Sequence, residues 1–325
     1  MHRTLPAIVA IVLLTVFWTA AAGAQTTPYP ARTVRMIMPV SAGSGSDVIG
    51  RIVATGLGES FGHQVVVDNR AGAAGNIGAE LAAKAPPDGH TVLFCFVGLA
   101  ANATLYNNLR YDIVRDFTPV TLLGNSAAIL VVHPSLPVKS VGELVKLARA
   151  RPGALSYASG GAGTPTHFGA ELFKGQAGID VLHVPYRAGA EALTSVVAGE
   201  TTVYFAPLAA TLPFIRQNRL RALAVTSTKR LPLLPQYPTV AELGYPDYES
   251  GFWHGLLLPA RTPREIVTTL RSAAVGVLNQ PAVAQRLVDL GYVSYGTQPE
   301  EFAAYLKAEI AKLGRILRGL KVTAD

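Results

Sequence analysis

Two glycine-rich turns carry the residues best placed to do chemistry. One reads Val40-Ser41-Ala42-Gly43-Ser44-Gly45-Ser46-Asp47, the other Ser159-Gly160-Gly161-Ala162-Gly163-Thr164-Pro165-Thr166-His167. Each follows a short apolar run and opens a stretch with helical spacing. Glycine lets a ligand approach the backbone closely, and the unpaired amides of a first helical turn offer an anion the positive end of the helix dipole. Ser44, Ser46 and Thr164 add hydroxyl donors. A single glycine turn would be ordinary, and Ser46 or Asp47 would serve equally well as a helix cap. Two such turns in matching positions point to a small anion held between two units. The candidate site therefore includes Val40, Ser41, Gly43, Ser44, Gly45, Ser46 and Asp47 on one side, and Gly161, Ala162, Gly163, Thr164 and His167 on the other.

Other chemistry finds little support. Val48 stands where a dinucleotide fingerprint needs its third glycine, and no phosphate-binding loop ending in Gly-Lys-Ser/Thr occurs. None of Ser44, Ser46 or Ser159 sits in a Gly-x-Ser-x-Gly nucleophile turn. The seven histidines are scattered and Cys95 is the single cysteine, so no metal-ligand spacing forms. His167 as a general base would need positioned partners that the sequence does not display, and it reads as a polar packing residue. The expectation is a binding protein with no catalytic residues, metal or cofactor.

The elements that must position these turns alternate. Apolar runs at 34–40, 64–67 and 91–97 read as strands, with helices at 47–61 and 75–85 between them. The grammar restarts with strands at 155–159, 181–184, 202–205 and 222–226 and helices at 166–175 and 191–198. Strands separated by helices of this length imply βαβ units and parallel sheets. In such sheets ligands bind at the carboxyl ends of the strands, where both glycine turns fall. The apolar stretches 120–133 and 250–258 are long enough to run from one unit into the other, with hinges expected near 122–126 and 250–254. The last part, 263–320, reads as helical. The fold class is thus α/β with two lobes, each a mainly parallel sheet flanked by helices: residues 25–124 with 253–325 form the first lobe and 125–252 the second.

Bulk properties agree. Met1 to Arg3 makes a positive start, Leu5 to Ala20 is almost wholly apolar, and Ala22-Gly23-Ala24 supplies small residues for cleavage. Residues 1–24 read as a secretory signal removed before Gln25, which places the mature chain in the periplasm. About 300 residues remain, enough for two domains. Cys95 lies in an apolar run as a lone buried thiol, which suits an exported protein that folds without disulfides. The formal charge of +7 becomes +6 without Arg3, but the basic residues are dispersed, so a nucleic-acid partner is not expected. A mild field favouring anions remains.

At these residues the chain resembles the Bug receptors, the substrate-binding proteins of tripartite tricarboxylate transporters. The resemblance rests on an ordered set: Tyr29-Pro30, Pro39 to Asp47, Val67-Asp68-Asn69-Arg70, Gly75-Asn76-Ile77-Gly78, Pro87-Asp88-Gly89, Tyr157-Ala158-Ser159, Gly163-Thr164, His167, His183-Val184-Pro185-Tyr186, 220–226, Pro238-Thr239-Val240 and Gly255-Leu256-Leu257. It implies a Venus-flytrap fold of the type II periplasmic binding class. It also implies a carboxylate held by amides and hydroxyls of both turns, and delivery to inner-membrane transporter subunits or to a membrane sensor. Gly98 and Ala206, each directly after a predicted strand, complete the expected site of a monomeric receptor. Ala162 replaces a common asparagine, and Ala206-Pro207 stand where an acidic residue is frequent. An ammonium group would lose its partner there, which favours dicarboxylates or aromatic carboxylates over amino acids. An exported α/β hydrolase acting on carboxylate esters is the competing reading.

Overall fold

A computed structural model describes residues 29–161, 163–246 and 248–320. The expected signal segment at 1–24 and the candidate site residue Ala162 lie outside the described residues.

The first lobe grows from β1 (Val34–Met38), which pairs in parallel with β2 (Val65–Asn69) and β3 (Thr91–Phe96). β1 and β3 are buried almost throughout, as a continuous apolar run covered on both faces should be. Between β1 and β2 runs α1 (Gly45–Phe61), which buries Ile49, Ile52, Val53 and Leu57 at helical spacing and stops at Gly62 in the left-handed region. α2 (Asn76–Ala83) leads to β3, and α3 (Val97–Leu105) follows it at once. The second lobe has α4 (Val141–Ala150), β5 (Ser156–Ser159), α5 (Pro165–Ala177), β6 (Leu182–Pro185), α6 (Gly189–Ala198), β7 (Val203–Pro207), α7 (Leu208–Arg216) and β8 (Arg221–Val225). Here β5 pairs in parallel with both β6 and β7. The chain then returns through β9 (Gly251–Pro259), α8 (Arg264–Asn279), α9 (Pro281–Asp289), β10 (Tyr292–Ser294) and α10 (Pro299–Leu320) to the first lobe.

Two strands connect the lobes. β4 (Phe117–Val132) pairs with β9 up to Ala127, and from Ala128 onward with β7 and β8. Thr226, fully buried, joins the two crossings: its Oγ1 receives the Ala128 amide at 3.2 Å and donates to the Ser250 carbonyl at 2.6 Å. Strand sense then fixes what faces what. β4 runs from the first lobe into the second. β9 is antiparallel to β4 and to β3, so β1, β2 and β3 also point toward the second lobe. β7 is antiparallel to β4, so β5, β6 and β7 point back toward the first. The carboxyl ends of both parallel sets therefore open on the gap between the lobes.

Each sheet is covered on both faces. In the first lobe one cluster packs α1 and α8 against the sheet and another packs α3 and α10. In the second lobe the clusters involve α4 and α5 on one face and α6 and α7 on the other. The parallel strands are as expected, but the sheet is mixed, because the crossing strands β4 and β9 and the short β10 run antiparallel. Three helices, α3, α4 and α7, had no counterpart in the sequence reading, nor did β10.

Candidate functional site

The first glycine turn is built around Asp47. Its buried carboxylate accepts the Gly43 amide at 2.8 Å, Arg51 Nε at 2.9 Å and Asn69 Nδ2 at 2.8 Å. Burial by itself would raise this carboxyl, but the Arg51, Asn69 and Gly43 hydrogen bonds and the Arg51 charge hold it below the ordinary range. Asn69 Nδ2 also donates to the Val40 carbonyl at 3.2 Å, and the Ser44 amide reaches the exposed Ser41 carbonyl at 3.3 Å. Ser44 caps α1 by accepting the Asp47 amide on Oγ at 3.2 Å. Gly43 sits at φ 79°, where a side chain would be strained. So Val40, Ser41, Gly43, Ser44 and Asp47 shape the turn. The Gly45 and Ser46 amides, at the start of α1, have no protein partner among the described residues.

The second turn is likewise tied from within. Thr164 Oγ1 donates to the Gly161 carbonyl at 2.7 Å, Thr166 Oγ1 receives the Gly160 amide at 3.0 Å, and His167 Nδ1 receives the Gly163 amide at 3.1 Å. Ser159 Oγ receives the Gly161 amide at 3.1 Å. Accepting at Nδ1 leaves the His167 proton on Nε2. Burial first, then the neighbouring His183, lowers the His167 pKa to about 4, so the ring is neutral near pH 7. His167 stacks on His183 with centroids 4.2 Å apart, and His183 on Tyr157 at 4.7 Å. Thr166 carries the amide at the start of α5 that has no partner among the described residues, since Pro165 has none to offer.

Gly98 is the second residue of α3, a helix that starts without a side-chain cap, and a Cβ there would collide with the Phe96 ring. Ala206 lies in β7 (Val203–Pro207). Its side chain is fully buried in the second lobe's core with Ile129 and Leu208, so it can offer the gap only its backbone. The elements bring each turn together around its own scaffold. No hydrogen bond joins the two turns among the described residues; they meet the same gap from opposite sides.

Sequence spacing did not reveal two Ser–His pairs. Ser46 Oγ lies 2.8 Å from His254 Nε2, and Ser159 Oγ lies 2.7 Å from His183 Nε2. The partners are 208 and 24 residues apart in sequence, so only the topology unites them. Burial drives the His254 pKa down to about 3, and burial also leads the lowering at His183. Together the two turns present amide and hydroxyl donors, and their one carboxylate is already engaged by Gly43 of its own turn, Arg51 of α1 and Asn69 of β2. Chemically this arrangement can hold an anion of hydrogen-bond-acceptor type with neutral groups.

Comparison with known proteins gives a consistent picture. The family model described as "Tripartite tricarboxylate transporter family receptor" matches residues 49–322. BugT of Bordetella pertussis is 32% identical over 314 residues, covering 96% of both chains. A protein encoded in the tcbD-tcbE intergenic region of Pseudomonas sp. strain P51 is 37% identical, covering 91% of this chain and 89% of that one. Among solved structures, R. palustris Rpa4515 with adipate superposes with a TM-score of 0.78 at 35% identity, covering 91% of this chain and 99% of that one. MatC from Rhodopseudomonas palustris with bound malate gives a TM-score of 0.74 at 28% identity, covering 89% and 100%.

Proposed function

The chain belongs to the tripartite tricarboxylate transporter receptor family, and from that premise we propose that it captures a small dicarboxylate or aromatic carboxylate between its lobes and hands it to an inner-membrane transporter of that class. The observation that carries the reading is directional. The turns after β1 and β5 open on one gap from opposite lobes, and each begins a helix with an uncommitted amide, at Gly45 and Ser46 in one and Thr166 in the other. Helix starts of this kind stabilise a carboxylate without a salt bridge.

Adipate and malate, bound by the two R. palustris relatives, are the natural first probes. Ala206 and Pro207 at the end of β7 supply no carboxylate for a ligand ammonium, which favours diacids over amino acids. In this reading residues 1–24 are a secretory signal and the receptor works in the periplasm, as family members do.

The Ser46–His254 pair gives the hydrolase alternative a specific observation, since such a contact is the start of a nucleophile–base set. Yet among the described residues His254 Nδ1 meets no carboxylate or other partner, and a ring pushed to about 3 is a weak base at neutral pH. Receptor function is the better reading. A thermal-shift screen of the mature protein against a carboxylate panel tests it: one or more diacids should raise the melting temperature in proportion to the logarithm of concentration. If no member of the panel does so, carboxylate capture is refuted.

A further inference from the structure

We propose that His254 is a positioning residue of the carboxylate site: its Nε2–H holds the Ser46 oxygen so that the serine proton is presented to the ligand. The proposal rests on the carboxylate-receptor reading above and adds to it the group that sets the polarity of one donor.

His254 is 1% exposed, with its ring between Phe94 at 5.1 Å and Tyr292 at 5.8 Å, so its orientation is set by packing. Its Nε2 meets Ser46 Oγ at 2.8 Å, whereas its buried Nδ1 has no partner among the described residues. For the neutral ring two arrangements are open. With the proton on Nδ1, an N–H would be buried without an acceptor, and Ser46 would have to donate inward to Nε2. With the proton on Nε2, only a bare lone pair is orphaned, and buried orphan donors are rarer than under-used acceptors. The second arrangement therefore prevails. Ser46 then accepts from His254 and keeps its own proton. Ser46 is half-buried at the start of α1 with His254 as its sole hydrogen-bond partner among the described residues, so its proton is left uncommitted for a ligand.

The other Ser–His pair shows what this is not. Ser159 is fully buried and its Oγ also engages the amide and carbonyl of Gly161, so His183 braces a turn rather than directing a free donor. His254 also stands on β9, four residues past the Ser250 crossing and in register with Gly124, so the strand that joins the lobes holds the ring that orients the first turn's hydroxyl. With its proton turned to the ligand, Ser46 adds a donor suited to an ionised carboxylate.

Two measurements decide the matter. Long-range ¹⁵N–¹H NMR of the ligand-free protein, assigned by comparison with His254→Phe, should show Nε2 protonated and Nδ1 unprotonated; the reverse pattern overturns the proposal whatever the ligand. Calorimetry with adipate then tests the linkage through Ser46. His254→Phe keeps the packed ring but removes the donor, and should weaken binding by about tenfold, the scale of one well-placed hydrogen bond. His254→Gln, which can return an N–H near the Nε2 position, should recover part of that loss. The double variant Ser46→Ala with His254→Phe should bind no more weakly than Ser46→Ala alone. Additive losses would mean that His254 acts through packing and would overturn the proposal. If the wild-type protein binds no carboxylate at all, the receptor reading fails, while the NMR pattern still scores His254 separately.

Discussion

Replacing Asp47 by Asn removes one charge and leaves the shape of the first turn otherwise intact, which makes its cost calculable. The carboxylate accepts three hydrogen bonds, from the Gly43 amide, Arg51 Nε and Asn69 Nδ2. An amide in its place has one acceptor and one donor end. If its oxygen faces Gly43 and Arg51, its NH2 confronts the NH2 of Asn69. Asn69 cannot rotate away freely, because its nitrogen holds Val40 and its oxygen receives Arg51 at 2.8 Å. At least one buried donor is left unpaired, costing about 1–3 kcal/mol. The ion pair with half-exposed Arg51 adds no more than about 1 kcal/mol, because solvent screens it. The total of about 1–4 kcal/mol should lower the melting temperature by roughly 2–16 °C for a lobe of this size. The difference should depend on pH with a definite sign. The folded carboxyl is held below its ordinary value, so its stabilisation is complete above about pH 4 and disappears as pH falls through the depressed folded value. Thermal melts of wild type and Asp47→Asn at pH 7 and below pH 3 check both statements. A variant that melts within about 1 °C of wild type at pH 7 would refute the scaffold role of Asp47 on this arithmetic.

Other outcomes follow from neighbouring geometry. Thr226→Val should cost about 1–3 kcal/mol by leaving the Ser250 carbonyl and Ala128 amide without their clasp, and small-angle scattering should show a less uniform closed form with ligand; an unchanged melt would argue against the clasp. His167 is neutral in the fold with a pKa near 4, so stability should fall as pH drops from about 6.5 toward 4. His167→Asn, which keeps an acceptor for Gly163, should flatten that slope, and an unaltered slope would assign the acid sensitivity elsewhere. Binding held by helix-start amides rather than exposed Lys and Arg should change less than about threefold in Kd over a tenfold rise in sodium chloride, since screening acts over about 8 Å in open solvent. A tenfold loss in calorimetry would place basic side chains at the ligand.

Much of this arrangement was legible because it is repetitive. The strand, glycine turn and helix sequence around Gly43 and again around Gly163 announces itself through spacing, and the apolar stretches 120–133 and 250–258, read as candidate crossings, form the strands that join the lobes. α3 was missed because Val97 to Leu105 is apolar on nearly every face, so no periodicity separates it from β3. α4 did carry a signal, Ser140 followed three residues later by Glu143, and that pair forms the cap. α7 was obscured by Pro213. Asp47 was read both as a site residue and as a possible helix cap, and the hydrogen bond from Asn69, a residue on another strand, could not be foreseen from spacing. His254 and His183 could not be paired with their serines from spacing, since the contacts arise only when β9 and β6 take their places in the sheet. β7 continues two residues beyond the expected strand end at Phe205 and holds the Ala206 side chain in the core.

The most direct test of the central claim is a crystal structure of the protein with the strongest stabiliser from the carboxylate screen. One ligand carboxylate should lie in the gap within hydrogen-bond distance of the Gly45 or Ser46 amide from the first lobe and the Thr166 amide from the second, with Ser46 Oγ donating and no Lys or Arg side chain in contact with that carboxylate. A carboxylate bound to one lobe alone, outside the gap, or held by basic side chains would contradict the account.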